Sequence, residues 1–113
     1  AKRIRARKHI NESGAKVYEI YGPLFFGSVS AFLEKFDVEN DPFDVIIDFK
    51  DSRVADMSAI DALHKITAKY AALDKRVVLK HLSQDCRNKL EKAEAVIEVT
   101  IEEDPTYKVM SNK

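Results

Sequence analysis

The sequence is short of the parts that sharp chemistries require. One cysteine in 113 residues, Cys86, excludes an internal disulfide. Three glycines, Gly14, Gly22 and Gly27, are too few and too scattered for a glycine-rich phosphate cradle. His9, His64 and His81 lie far apart, and none has a second ligand three or four residues on, as a helical zinc site needs; solvated or locally bonded rings are expected, with no metal and no cofactor. Excess charge is missing too. Nineteen basic residues balance nineteen acidic ones, so no long-range field favours nucleic acid as a partner. No apolar run approaches the roughly 20 residues of a membrane-spanning helix, and no signal-peptide core is visible, so a soluble, non-secreted stretch of chain is expected.

What is present is globular. Hydrophobic residues make up 45% and charged ones 34% of the chain, enough for a core without metal or disulfide. The length fits one domain, residues 1–113. Charge is unevenly spread: Lys2, Arg3, Arg5, Arg7 and Lys8 form a basic N-terminal run, whereas Glu34, Asp37, Glu39, Asp41, Asp44 and Asp48 face only Lys35 between positions 34 and 48. A chain opening on Ala1 without Met reads as processed, or as a segment of a longer chain.

Hydrophobic period gives the elements. Arg3, Arg5, Arg7 and His9 alternate with Ile4, Ala6 and Ile10, the pattern of a half-buried strand with a basic outer face. The cluster Asn11 to Gly14 predicts a turn, and the β-branched and aromatic run from Lys16 to Tyr21 completes a hairpin that Gly22-Pro23 should end. Phe25, Val29, Phe32, Leu33 and Phe36 fall on one helical stripe. Val45-Ile46-Ile47 suits a central strand covered on both faces, and Val77-Val78-Leu79 a second. Between them Ile60, Leu63, Thr67 and Tyr70 keep helical spacing from about Ser58 to Leu73, which makes a βαβ unit. Cys86, Leu90, Ala93 and Ile97 predict a third helix with the thiol buried, and positions 98 to 101 a last strand. The tally is an α/β fold, a mixed sheet with an N-terminal hairpin, parallel central strands and helices mainly on one face. The other face must be polar or covered by the segment around Tyr107 to Met110.

The segment from Asp51 to Leu63 joins the carboxyl end of a strand to a helix, where open α/β sheets form ligand crevices and free N–H groups attract anions. The plainer reading is that Asp56 or Ser58 caps the helix, that Asp61 favours its first turn through the helix dipole, and that nothing else happens there.

The order of elements and this segment resemble the STAS domain, the fold shared by sulfate transporters and anti-sigma-factor antagonists, over nearly the whole chain. Asp56-Met57-Ser58-Ala59 matches the family pattern Asp-x-Ser/Thr-Gly, with Ala59 in place of the glycine. Gly22-Pro23-Leu24-Phe25-Phe26-Gly27, His81-Leu82-Ser83 and Asp104-Pro105-Thr106-Tyr107-Lys108 look more like the C-terminal STAS domains of SulP-type anion permeases than like free antagonists. The permease resemblance implies a non-catalytic domain on the cytoplasmic face of the inner (plasma) membrane that serves regulation, assembly or trafficking. Its implied partners are the transmembrane domain of the same chain, a second copy, and a cytosolic regulatory protein. Asp56, Ser58 and Ala59 would contact a phosphate, anion or nucleotide, and Asp61, Leu63 and His64 a protein partner. Arg3, Arg5, Arg7 and Lys8 would face lipid headgroups or the transport domain, unless they merely blunt an edge strand. The antagonist resemblance instead implies a free-standing switch, phosphorylated at Ser58 by a partner kinase. A small enzyme using Asp56 or Asp61 as general base has no second group at suitable spacing to support it.

Overall fold

The computed structural model describes residues 3–92 and, as backbone, 100–102. Within them five strands form one sheet in the order β1-β2-β3-β4-β5: β1 Arg5–Ile10, β2 Lys16–Leu24, β3 Asp44–Val54, β4 Arg76–Lys80 and β5 Thr100–Glu102. The hairpin pair β1 and β2 is antiparallel, and every later pair is parallel. The hairpin turn is built as its composition predicts: the Asn11 carboxamide accepts the N–H groups of Ser13 and Ala15, and Gly14 takes the positive φ of 90° that side chains resist.

The helices are α1 Val29–Leu33, α2 Met57–Ala71 and α3 Gln84–Lys92. They share one core with the sheet. Ile60, Leu63, Ile66, Thr67 and Tyr70 on α2 are buried, as their spacing requires, against Tyr18, Ile20, Ile47, Phe49 and Leu79; Cys86 and Leu90 bring α3 onto the same core. Burial pushes the Cys86 thiol up to about 11, with Asp85 adding to the rise, so it is an inert packing group.

Several boundaries differ from expectation. Strand β2 runs through Gly22 and Pro23 instead of stopping before them. Its ladder with β1 ends at the Arg5–Tyr21 pair, so the donor that Pro23 lacks falls where β2 has no β1 partner. Strand β3 continues to Val54 because Asp51 to Val54 pair with Tyr21 to Leu24 after a bulge; the loop to α2 shrinks accordingly. Central coverage is one-sided: Val45, Ile47 and Phe49 are buried, whereas Ile46 and Asp48 are only half-buried. Ile10, expected inside, is 58% exposed.

The first helix is much shorter than its stripe. Phe25 is extended, Phe26–Ser28 is a 3-10 turn, and α1 holds five residues. Ser28 sets this geometry, its hydroxyl donating to the Pro23 carbonyl and accepting from the Phe25 N–H. Phe36 lies beyond the helix yet still packs on Tyr18 and Phe32, with ring centroids 4.5 and 5.0 Å away. The expected contributions of Ala93, Ile97, Glu98 and the Tyr107 to Met110 segment lie outside the described residues.

One polar cluster interrupts the core at the end of the sheet opposite the α2 N-terminus. Asp41, 5% exposed, accepts from the hydroxyls of Tyr18 at 2.5 Å and Tyr70 at 2.6 Å and from the Lys16 ammonium at 2.8 Å. Burial alone would raise this carboxyl, but those three donors outweigh it and hold it below the usual 3.8.

Candidate functional site

The paired tails of β2 and β3 deliver two segments to one corner. The Ala55 N–H donates to the Leu24 carbonyl at 2.9 Å, which closes the pairing and leaves Asp56 as the first residue free to turn. Asp56 is extended and is the N-cap of α2, its Oδ1 accepting the Ala59 N–H at 2.9 Å; of the two candidate caps, Ser58 is not the one. Its Oδ2 accepts the Phe26 N–H at 3.0 Å. One carboxylate thus ties the 3-10 turn before α1 to the start of α2, a contact thirty residues long in sequence that no local pattern reveals.

With both oxygens committed to backbone donors, Asp56 is a fastener and not a free base. Ser58 is the second residue of α2, half-buried, with no hydrogen bond from its hydroxyl among the described residues. Ala59 is fully buried in the core, so the methyl group that replaces the family's glycine has a place. Asp61 is the fifth residue of α2, past the first turn where it was expected; it is exposed and makes no ion pair among the described residues.

Leu63 and His64 correct the expected partner surface. Leu63 is wholly buried, since it lies on the stripe that faces the sheet, and it supports the corner from beneath. His64 was expected to be solvated or locally bonded, but both its ring nitrogens are shielded and make no hydrogen bond among the described residues. His81 is locally bonded, Nδ1 to the Asp48 carboxylate at 2.7 Å. The outward groups at the corner are Met57, 53% exposed, and Phe26, 73% exposed, neither of which the sequence singles out as functional.

The basic N-terminal run divides. Arg7 lies 3.6 Å from the Glu19 carboxylate and over the Tyr21 ring, and Lys8 lies over the Tyr18 ring. Arg3 and Arg5 instead line a cavity of about 530 Å³ with Lys35. A second crevice, about 550 Å³, opens at the carboxyl ends of β3 and β4, as the topology leads one to expect, and is lined by Lys50, Arg53, His81 and Ser83. Among the described residues no group of three or more His, Cys, Asp or Glu side chains is placed to hold a metal ion, and no helix is long and apolar enough to cross a membrane.

A sequence profile, that of the STAS domain, matches residues 5–107. The chain belongs to the STAS domain family. YbaR of Bacillus subtilis (strain 168), whose name assigns it provisionally to sulfate transport, is 29% identical over 82 residues; these are 73% of this chain but only 17% of that protein. An antisigma-factor antagonist STAS domain from Rhodobacter sphaeroides is 25% identical, with a TM-score of 0.62, over 67% of this chain and 84% of the other. Two more distant structures share the fold. SpoIIAA, an anti-sigma factor antagonist in its unphosphorylated form, superposes over 93% of this STAS chain and 94% of its own with a TM-score of 0.65 at 12% identity. SLC26A9 does so over 80% of this chain and 20% of its own with a TM-score of 0.61 at 14% identity. The fold is thus an α/β STAS fold, related both to transporter domains and to anti-sigma-factor antagonists.

Proposed function

We propose that this STAS chain serves as the cytoplasmic, non-catalytic domain of a SulP-type anion transporter and acts through protein contacts. The observation that carries this reading is the 29% identity to YbaR over 73% of the chain, from a stretch making up 17% of that longer protein. The corner geometry supports it. Asp56 spends both oxygens on positioning backbone, and exposed Met57 and Asp61 beside Ser58 offer a contact surface with no nucleophile and base in register. The partners on this reading are the transport domain of the same protein, a second copy, or a cytosolic regulator. Fractionation of native cells with an antibody against this domain tests it: a membrane band far heavier than 12.9 kDa is expected, and a soluble band near 12.9 kDa overturns it.

A second reading is favoured by a different observation, the 25% identity to the antisigma-factor antagonist STAS domain of Rhodobacter sphaeroides over 67% of this chain. In it the chain is a free-standing switch controlled at Ser58. Ser58 lies in the first turn of α2, between Asp56 and Asp61 in sequence, so a phosphate of roughly −2 charge would change the corner's potential sharply. Ser58→Asp should then abolish capture of the partner while Ser58→Ala retains it; equal capture by both removes this reading.

A further inference from the structure

The cavity beside the N-terminal strand separates Arg3 and Arg5 from the rest of the basic run and joins them to Lys35, a residue that neither reading uses. Arg3, Arg5 and Lys35 line it, no Asp or Glu does, and its apolar surface comes from Ile4, Phe25 and Ala31. None of the three cations makes a hydrogen bond or ion pair among the described residues, whereas Arg7, two positions along the same strand, is matched with Glu19.

Both walls are held in place. On one side Ile4 is 4% exposed and anchored in the core, and the backbone of Arg3 runs against Gly22, whose φ is 91° and where a Cβ would come within 2.5 Å of the Arg3 carbonyl oxygen. On the other side Ser28 fixes Pro23 and Phe25, and Asp56 fixes Phe26. The result is that Phe26, flanked by the lining residues Phe25 and Gly27 and edge-on to the Phe25 ring at 5.7 Å, is presented to solvent at 73% exposure. Three unmatched cations alone would suit any anion. The exposed Phe26 ring, in edge contact with the lining Phe25, is what a bilayer surface adds, since phosphate headgroups lie just outside an apolar layer.

We propose that this face docks on a membrane containing anionic phospholipid, with a headgroup phosphate among Arg3, Arg5 and Lys35 and the Phe26 ring in the interfacial layer. The surface does not depend on the transporter reading, because a free-standing chain would reach a membrane through the same groups.

The test uses the 113-residue chain and vesicles of phosphatidylcholine with and without phosphatidylserine. Co-sedimentation only with the anionic vesicles is expected. Arg3→Gln, Arg5→Gln and Lys35→Gln should each weaken it by about fivefold, in line with the usual contribution of one basic residue near an anionic surface. Arg76→Gln, the same charge change next to Asp44 at the far end of the parallel strands, should leave binding within about twofold. Because the chain has no tryptophan, Phe26→Trp supplies a single probe whose emission should shift to the blue with anionic vesicles and not with inorganic phosphate. Equal sedimentation with neutral vesicles overturns the proposal, as does an Arg76→Gln loss equal to that of Arg5→Gln. A blue shift with phosphate and none with vesicles also overturns it, assigning the cavity to a soluble anion.

Discussion

Asp41 shows how one buried charge organises residues far apart in sequence. Lys16, Tyr18 and Tyr70 all donate to it, and each hydrogen bond to an ionised acceptor contributes about 1.5 to 3 kcal/mol where a neutral one gives nearer 1. Tyr70→Phe removes a donor and keeps the ring that packs near Phe36, so it should cost about 1.5 to 3 kcal/mol in urea denaturation. The same carboxylate sets an acid limit. Its folded pKa lies below the ordinary 3.8, so its stabilisation is complete above about pH 4 and is lost as pH falls through the folded value. Thermal midpoints should therefore drop more steeply below pH 4 in the native chain than in Asp41→Asn; parallel curves would remove Asp41 as the cause. Nothing local announced this role. Asn40-Asp41-Pro42 is readable as a loop and no more, because the burial of Asp41 depends on side chains that the fold brings in from 23 to 29 residues away.

At the scale of elements, period predicts what packs and misses what is paired at a distance. Helix α2 and strands β3 and β4 were legible because Ile60, Leu63, Thr67 and Tyr70 repeat on one face and the valine and isoleucine runs alternate with helical segments. The end of β3 was not. Asp51, Ser52 and Arg53 are polar and read as loop, and only the ladder to Tyr21 through Leu24 makes them strand. Phe25 and Phe36 likewise match a helical stripe, but Ser28 bonding back to Pro23 sets one end of the helix, and Phe36 packs from beyond the other. The Asp56 corner was legible as a cap and a family motif, while its second bond, to Phe26, was not. That bond raises what a substitution should cost. An ordinary N-cap change to alanine costs about 1 kcal/mol, and Asp56→Ala also strips the partner from the Phe26 N–H, so a loss of about 1 to 2 kcal/mol is expected by urea denaturation. Asp56→Asn keeps an acceptor for Ala59 and should recover part of it; no difference between the two would mean that the side chain stabilises only through its charge.

For the molecule as a whole, the equality of nineteen basic and nineteen acidic residues separates two uses of charge that usually vary together. Stability rests chiefly on an apolar core and on the sheltered Asp41 cluster, both of which salt screens weakly. Surface pairs such as Arg7 with Glu19, Arg76 with Asp44 and Lys89 with Asp85 add little in water. Membrane docking through Arg3, Arg5 and Lys35 would have no help from net charge and would depend on three local cations at the surface. Raising ionic strength from 0.1 to 1 M shortens the screening length from about 10 to about 3 Å, which weakens the attraction of solvent-exposed cations to an anionic surface. The expected outcome is a divergence: anionic vesicles release the chain as salt rises, while its thermal midpoint in the same buffers moves by no more than about 2 °C, the shift that a few tenths of a kcal/mol produces in a domain of this size. If binding and midpoint instead declined together, salt would be acting on the fold, and the association would report unfolding at the vesicle surface instead of recognition by the cavity.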